Sequence, residues 1–362
     1  MRKQSRRLRH TARYWDDPTR SPSSLGCSRC VELATCGGLH IRRAAFDCLS
    51  FCCEKPATCS VTCPRNSDFV DRVREIGGFD LHQLARAPRI GFPELPPSVP
   101  LIYSKGCRSR PFQPTAVALS LYQLVNRSGG LKFETPHALR AHFGIASGTL
   151  IILSGTEQDR PIERWWSFEE RRREAMLGLR ALGIVAATTP NFSLFSDVPR
   201  FDNLHAMKRI AICWQEMTDA GMPTALHVNA RTSRDFQRWT ELVARRPEVS
   251  AIAYEFATGA SGSRRMPYHL EELRHLADRV RRPLTLIVRG ALSALGELRQ
   301  SYARVAMIDT TSYMRTVNRQ VGRIRSDGRV RWSAAPGQPR VDTADLLDQN
   351  HRTMLKAASR TA

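Results

Sequence analysis

The chain reads T-A-L-H-V over residues 224–228, V-S-A-I-A-Y over 249–254 and P-L-T-L-I-V over 283–288, and each interval has helical spacing of apolar residues. These runs are continuously apolar rather than alternating, which is typical of strands buried on both faces. Strands that are joined through helices enter a sheet in the same direction, so they pair in parallel. This stretch therefore predicts an α/β fold built on a parallel sheet.

The same rhythm continues on both sides of this stretch. Further apolar runs are V-P-L-I-Y at 99–103, T-L-I-I-L at 149–153, I-V-A-A-T at 184–188 and R-V-A-M-I at 304–308, with an ambiguous one, A-V-A-L-S-L-Y, at 116–122. Seven or eight strands over residues 99–320 predict a (β/α) barrel-like sheet. The barrel is either complete or degenerate, because this segment is slightly shorter than the roughly 250 residues that such barrels use. An open doubly wound sheet is the alternative, although no glycine-rich phosphate motif follows any run. Ser167 and Glu170 have the spacing of a capping box and predict a helix start.

A cysteine cluster precedes this domain. Eight of the ten cysteines are Cys27, Cys30, Cys36, Cys48, Cys52, Cys53, Cys59 and Cys63. Eight thiolates provide two sets of four metal ligands, and the final Cys63-Pro64 resembles the end of a ferredoxin arm. We therefore expect an iron–sulfur cluster, with zinc as the alternative. Disulfides are disfavoured, because no secretory signal is visible and disulfides are rare in the cytosol.

The composition divides the chain into five segments. We expect a basic disordered arm at 1–26, a cysteine-rich module at 27–80 that ends in a short helix at 68–76, and a proline-rich linker at 81–98. The barrel-like domain follows at 99–320, and a basic hairpin with a tail occupies 321–362, where Asp327-Gly328 marks the turn. No apolar stretch of about 18 residues occurs, so we expect a cytoplasmic protein with no membrane partner.

The charge is strongly positive, with 55 Lys and Arg against 34 Asp and Glu, a net of +21. Such an excess attracts polyanions, and arginine binds phosphate through two parallel hydrogen bonds. Nucleic acid is therefore the expected partner, while a basic surface without that function is the alternative.

Candidate catalytic residues follow the apolar runs, where β/α folds place their chemistry. They are Asn191 and Asp197 after one run, His227 and Asn229 at the end of the next, and then Glu255 and Arg289. His227 or Glu255 would be the base, Arg289 with Lys105 would hold an anion, and Asp197 and Asp309 would supply carboxylates. The alternative is a hydrogen-bonded polar layer that closes the barrel. Of the two remaining cysteines, Cys213 is expected in the core, and Cys107 is a weak candidate for chemistry.

A family resemblance rests on two motifs, N-F-S-L-F-x-D-x-P at 191–199 and G-M-P-T-A-L-H-V-N at 221–229, with a long helix between them. Over residues 184–310 the chain resembles an uncharacterised phage and plasmid family, the domain of unknown function four-four-one-seven. Asn191 stands where an acid is common in that family, so the resemblance implies no base at this position. It implies a mobile-element context and little about the reaction.

Together these features predict a mobile-element-associated metalloprotein that acts on or near nucleic acid, with a polar site at the carboxyl ends of the strands. One alternative is a non-catalytic DNA- or RNA-binding regulator with a structural metal module. The other is a metabolic iron–sulfur or zinc enzyme with a small anionic substrate.

Overall fold

The structure is a computed structural model, and it describes residues 29, 61–62, 68–195, 198, 200–258, 260, 265–335 and 342–360. The predicted basic arm at 1–26 and all eight clustered cysteines lie outside the described residues. The chain divides into two compact units. The barrel unit comprises residues 85–191, 213–228 and 243–362, and the second unit comprises the described parts of 1–84, 192–212 and 229–242.

The barrel unit contains one parallel sheet, which has eight strands within the described residues. The strands are β1 (Ser98–Pro100), β2 (Ala116–Ser120), β3 (Leu150–Ser154), β4 (Ile184–Thr188), β5 (Thr224–His227), β6 (Ala251–Glu255), β7 (Thr285–Arg289) and β8 (Arg304–Asp309). Their order in the sheet is β1-β8-β7-β6-β5-β4-β3-β2. The two end strands approach each other, because Leu101 bridges Ala118 and the amide of Ile102 donates to the carbonyl of Ala118 over 3.1 Å. The sheet is thus nearly closed, and the predicted barrel-like fold is confirmed over the open alternative.

The barrel interior is filled by apolar side chains that alternate along the strands. Alanines dominate this core, which also contains larger residues from neighbouring strands: Phe92, Val99, Leu101, Ala116, Ala118, Ile152, Ala186, Ala225, Ala251, Ala253, Ile287, Ala306 and Ile308. Residues two apart in a strand face the same side, which explains the inward pairs Ala116 with Ala118 and Ala251 with Ala253. A filled interior leaves only the two ends of the barrel available for chemistry.

Helices follow the strands around the barrel. They are α2 (Leu121–Leu124), α3 (Pro136–Phe143), α4 (Asp159–Trp166), α5 (Arg171–Ala181), α6 (Arg200–Asp219), α7 (Ser233–Arg245), α8 (Met266–Val280), α9 (Leu295–Ser301), α10 (Thr311–Val317) and α11 (Ala344–Arg360), after α1 (Phe69–Glu75) in the second unit. The unit boundary falls within α6 and α7. No helix in the described part of the chain is both long enough and apolar enough to span a membrane.

The predicted capping box at Ser167 is wrong. Ser167 is the C-terminal cap of α4, and its hydroxyl donates to the carbonyl of Arg164 over 2.8 Å. Helix α5 begins later, at Arg171, after Glu169 has taken a positive φ of 50°. The serine hydroxyl satisfies the end of one helix and is therefore not available to start the next.

A hairpin and the last helix complete the barrel unit. The hairpin pairs β9 (Gln320–Ile324) with β10 (Val330–Ala334) in antiparallel register, and Gly328 has a φ of 77° in the turn, as the Asp327-Gly328 motif predicts. Asn350 on α11 fixes the hairpin, because its Oδ1 accepts from the amide of Gly322 over 3.0 Å and its Nδ2 donates to the carbonyl of Gln320 over 2.8 Å. The hairpin is therefore anchored to the helix by a buried amide.

The second unit packs around aromatic and charged side chains. Its helix α1 agrees with the helix predicted at 68–76. The ring of Phe201 contacts Phe69 and Phe79, with centroids 5.6 and 5.5 Å apart. Arg200 and Asp235 form a fully buried ion pair. These contacts give the described part of this unit a core of its own.

Candidate active site at the carboxyl ends of the strands

Glu255 and Arg289 are the last residues of β6 and β7, and the parallel register pairs them directly. Their side chains meet, with Nη1 of Arg289 3.5 Å from Oε2 of Glu255. The Glu255 side chain is 6% exposed, whereas that of Arg289 is 21% exposed. The pair thus places a buried carboxylate beside a cation that is partly open to solvent.

Only one oxygen of the Glu255 carboxyl group forms a hydrogen bond within the described residues. Its Oε1 accepts a hydrogen bond from the amide of Ala257 over 2.7 Å, while the buried Oε2 has no hydrogen-bond partner among the described residues. Burial raises the pKa of Glu255 from 4.5 to about 7, although Arg289 and the Ala257 amide both lower it. A carboxyl group with this pKa both gains and loses protons near neutral pH, as general acid–base catalysis requires.

His227, the last residue of β5, is buried and pairs in register with Ala253, two residues before Glu255. Its Nδ1 lies 2.7 Å from the carbonyl oxygen of Thr189, so Nδ1 carries the proton and donates it. The other ring nitrogen, Nε2, then accepts, and it lies 3.3 Å from the hydroxyl of Thr156. Burial and, to a smaller extent, the charge of Arg289 lower the pKa of His227 to about 4, although the hydrogen bond to Thr189 raises it. His227 is therefore neutral at pH 7, and the proton exchange expected of an unperturbed histidine belongs to Glu255.

Thr156 connects Arg289 and His227. Its carbonyl accepts from Nη1 of Arg289 over 3.3 Å, and its hydroxyl contacts His227. The position of Thr156 depends on Gly155, because a Cβ at residue 155 would lie 2.1 Å from the carbonyl oxygen of Thr189. Only glycine allows the end of β3 to approach β4 so closely. Neither residue is among the predicted site residues, although S-G-T directly after an apolar run is a visible signal.

Tyr103 is near enough to Arg289 for the two groups to interact electrostatically. Tyr103 follows β1, and burial raises the pKa of its hydroxyl, while Arg289 lowers it and Glu157 raises it. Glu157 accepts a hydrogen bond from Ser120 over 3.2 Å. The rings of Tyr103 and Tyr313 have centroids 5.7 Å apart. Residues from several strand ends thus contribute to the electrostatic environment of the cation.

The remaining predicted residues have varied positions. The backbone amide of Asn191 donates a hydrogen bond to the carbonyl of Gly155 over 3.0 Å. The side-chain Oδ1 of Asn191 is buried and has no hydrogen-bond partner among the described residues. Asp309 is buried and accepts from the amides of Thr311 and Ser312 over 2.7 and 3.2 Å, so it caps the start of α10. Burial raises the pKa of Asp309 despite these hydrogen bonds.

Asn229, Lys105 and Asp197 are the other predicted positions. Asn229 belongs to the second unit, where its Nδ2 donates to the carbonyl of Phe192 over 2.9 Å. Lys105 is exposed and its side chain packs against Gly144. Asp197 lies outside the described residues. Cys213 is buried, as predicted, and Cys107 is exposed.

A cavity of about 390 Å³ lies next to the site, at the ends of β7 and β8. Residues 290–293 and 307–311 form one side, and the hairpin contributes Arg329, Val330 and Trp332, with Met354 from α11. Gly290 directly follows Arg289 and has a φ of 83°. A Cβ at Gly290 would lie 3.0 Å from the amide nitrogen of Ala257, the group that holds Glu255. The cavity wall is therefore continuous with the backbone of the site.

No protein-family model matches this chain, and no curated protein matches it in sequence. The resemblance to the phage and plasmid family therefore stays a prediction. Among the described residues, no group of three or more His, Cys, Asp or Glu is placed to hold a metal ion. The eight cysteines predicted as ligands are not part of that set.

Proposed function

We propose that the barrel unit is an enzyme that carries out acid–base chemistry on an anionic substrate, with Glu255 as the proton-transfer group. The single observation that supports this is the buried Oε2 of Glu255, which lies 3.5 Å from Nη1 of Arg289 but has no hydrogen-bond partner among the described residues. Oxygen atoms in this state are uncommon in protein interiors, because burial without a hydrogen bond is unfavourable. A reacting group with a proton to give or receive would supply the missing hydrogen bond.

Arg289 would bind the anion. Its Nη1 contacts Glu255 and Thr156, while its Nε has no hydrogen-bond partner among the described residues. Guanidinium donors are therefore left for a substrate oxygen. An anion bound here would offset the positive charge that lowers the pKa of Glu255, so the carboxyl group would become a stronger base as substrate binds.

His227 and Thr156 would be positioning residues. The neutral imidazole accepts from the Thr156 hydroxyl and so orients the loop whose carbonyl holds Arg289. This arrangement keeps a second positive charge away from the cation, which a protonated histidine would not do. Among the predicted residues, Glu255 would thus transfer the proton, Arg289 would bind the anion and His227 would position Arg289 through Thr156.

We propose nucleic acid as the anion. The net charge of +21 and the exposed arginines of the β9–β10 hairpin support it, since phosphate is the group that arginine binds best. The resemblance to mobile-element proteins agrees with this class of substrate. A small anionic metabolite, and a regulator that binds nucleic acid without turnover, are the two competing functions.

The cysteine module would add a metal. We propose that the eight cysteines bind an iron–sulfur cluster, with zinc as the alternative, and that residues 27–80 need it to fold because so short a segment has little core. Anaerobic purification followed by absorption spectroscopy and metal analysis tests this. Less than one metal ion per chain would refute it.

The test of the enzyme uses labelled single-stranded and duplex oligonucleotides of mixed sequence, with turnover followed from about pH 5 to pH 9 around the raised pKa. We expect E255Q to abolish turnover and E271Q, at an exposed glutamate on α8, to leave it unchanged. Turnover by E255Q at the wild-type rate would refute the proposed role of Glu255. Binding without turnover by the wild-type chain would favour the regulator, and the absence of both would favour a small substrate.

A further inference from the structure

We infer that the cavity beside the β9–β10 hairpin binds one unstacked base of a single-stranded nucleic acid, while the arginines of the hairpin hold the adjoining phosphates. This inference rests on the proposed nucleic-acid substrate and specifies its form. It assigns a binding site separate from the Glu255 carboxyl group, with its own residues and its own test.

The hairpin arginines are Arg323, Arg325, Arg329 and Arg331, and all four are exposed. The register places Arg323 directly opposite Arg331, and the amide of Arg325 donates to the carbonyl of Arg329 over 2.8 Å, which extends the ladder by one pair. Side chains two residues apart lie on one face of a strand, so the four guanidinium groups share a face.

This arrangement is unfavourable for the hairpin alone. Like charges directly opposite each other in an antiparallel pair repel. Asp327 is the one acidic residue between positions 320 and 334, and its Oδ1 accepts from the amide of Arg329 in the turn over 3.0 Å. Within the described residues, none of the four guanidinium groups forms an ion pair. A chain of phosphates would relieve the repulsion, which is why we assign a polyanion to this face.

The other side chains of β10 explain why the polyanion is single-stranded. Val330 and Trp332 alternate with the arginines, and both line the cavity. Trp332 is held in place, because Gly322 lies opposite it and a Cβ there would be 2.9 Å from the indole. The guanidinium of Arg315 also lies 5.5 Å from the ring centroid. A fixed aromatic ring is a usual means of holding an unstacked base. Alternation puts Trp332 on the face opposite to the four arginines, so the nucleic-acid strand would pass from one face to the other at the turn, where Arg329 lines the cavity.

The size and lining of the cavity suit a base rather than a phosphate alone. Its volume of about 390 Å³ lies within the range of small-molecule sites. Leu292, Met307 and Met354 provide apolar wall, and Ser293 and Thr310 add hydroxyl groups. Arg329 lines the cavity and also belongs to the arginine face, so a base in the cavity would place its own phosphate on this residue. A duplex would have to break a base pair to enter.

The first experiment compares ligands on the full-length wild-type chain by fluorescence anisotropy. The ligands are a labelled mixed-sequence single strand, the same sequence as a duplex, and an abasic strand of equal length that keeps the phosphates. We expect the single strand to bind at least about tenfold more tightly than the duplex or the abasic strand, because each stacked base contributes to affinity. Equal affinity for the normal and abasic strands would overturn the base site and leave only a phosphate-binding face.

The second experiment uses matched variants. R323A/R331A should weaken binding of the single strand at least about tenfold. It should also reduce the slope of the logarithm of the association constant against the logarithm of the salt concentration by about 1.4, because each lost phosphate contact contributes about 0.7 for a single strand. The control R279A/R304A removes two exposed arginines from α8 and β8, and it should change the affinity less than about threefold. Equal effects of the two double variants would overturn the assignment of the arginine face.

W332L should abolish the difference between normal and abasic strands while the dependence on salt remains. If W332L does not fold, the wild-type comparison with the abasic strand still decides the question. E255Q separates this inference from the proposed enzyme, since it should bind single strands as the wild type does. If E255Q turns over at the wild-type rate while binding still depends on the base, the proposed role of Glu255 is refuted and the base site stands. If E255Q loses turnover while normal and abasic strands bind equally, the base site is refuted and the role of Glu255 stands.

Discussion

Glu255 and Arg289 are direct neighbours at the ends of two parallel strands, and Nη1 of the arginine lies 3.5 Å from Oε2 of the glutamate. Burial raises the pKa of the Glu255 carboxyl group and the adjacent cation lowers it, so that the pKa is about 7. The register of the sheet, rather than a loop conformation, fixes this balance. The pair is thus a rigid element on which several predictions can be based.

Loss of the cation should raise the pKa of Glu255. In R289Q the carboxyl group stays buried but loses its main favourable charge, so we expect its pKa to rise above about 7. Carbon-detected NMR of labelled glutamate side chains measures this directly. An unchanged or lower pKa in R289Q would show that the two groups do not interact. R274Q, at an exposed arginine on α8, is the matched control.

Glu255 should destabilise the fold at alkaline pH. The pKa of Glu255 is raised in the folded state, so the native protein binds this proton more tightly than the unfolded chain does. That stabilisation is complete below pH 4.5 and is lost as pH rises to about 7. E255Q cannot ionise, so the free energy of unfolding of E255Q should gain on that of the wild type between pH 4 and pH 8. We expect this gain to reach up to about 3 kcal/mol, because one pKa unit is worth about 1.4 kcal/mol. Urea unfolding at both pH values measures this, and an equal difference at the two would contradict it.

His227 should remain neutral well below pH 7. Its pKa is lowered in the folded state, so its contribution to stability is present above pH 6.5 and is lost as pH falls towards 4. We expect long-range ¹H–¹⁵N spectra to show a protonated Nδ1 and an unprotonated Nε2 at neutral pH, with H227N identifying the signals. A ring that titrates near pH 6.5 would contradict the burial of His227, which is the main cause of its lowered pKa.

Gly155 should tolerate no side chain. In G155A the new Cβ would collide with the carbonyl of Thr189, so we expect a loss of roughly 1–3 kcal/mol or more. G148A is the control, because a Cβ at Gly148 meets no atom within 4 Å. Thermal unfolding of both variants checks the prediction, and similar midpoints would show that β3 and β4 can move apart. Turnover should fall in G155A, since Thr156 depends on this approach.

The sequence predicted the barrel well because its signal is local. Apolar runs separated by helical patterns require parallel strands, and residues directly after neighbouring runs must lie near each other, which is why Glu255 and Arg289 could be paired in advance. The alanines that fill the interior do not interrupt this pattern, although they made the run at 116–122 hard to assign.

What could not be predicted depends on packing between distant segments. The close approach that requires Gly155 involves β3 and β4, and the pKa values of His227 and Glu255 are set by burial. Sequence alone left His227 and Glu255 as alternative bases, because an unperturbed imidazole titrates near neutral pH and the burial of the carboxyl group is not visible in the sequence. Asp309 followed a strand like the other candidates, and only its contacts with Thr311 and Ser312 identify it as a helix cap.

The pairing of β1 with β8 has a consequence for the order of folding. Ser98 is paired with Met307, so the first strand of the barrel can find its neighbour only after the last strand exists. Contacts between such distant parts of a chain form slowly, because a large loop must close before they are gained. During synthesis the growing sheet therefore has two open edges until residues 304–309 leave the ribosome. Pairing of β1 with β8 becomes the last event of barrel closure, because Leu101 and Ala118 are close in the chain and can meet earlier. We expect the amides of the β1–β8 pair to exchange their hydrogens first in the native protein.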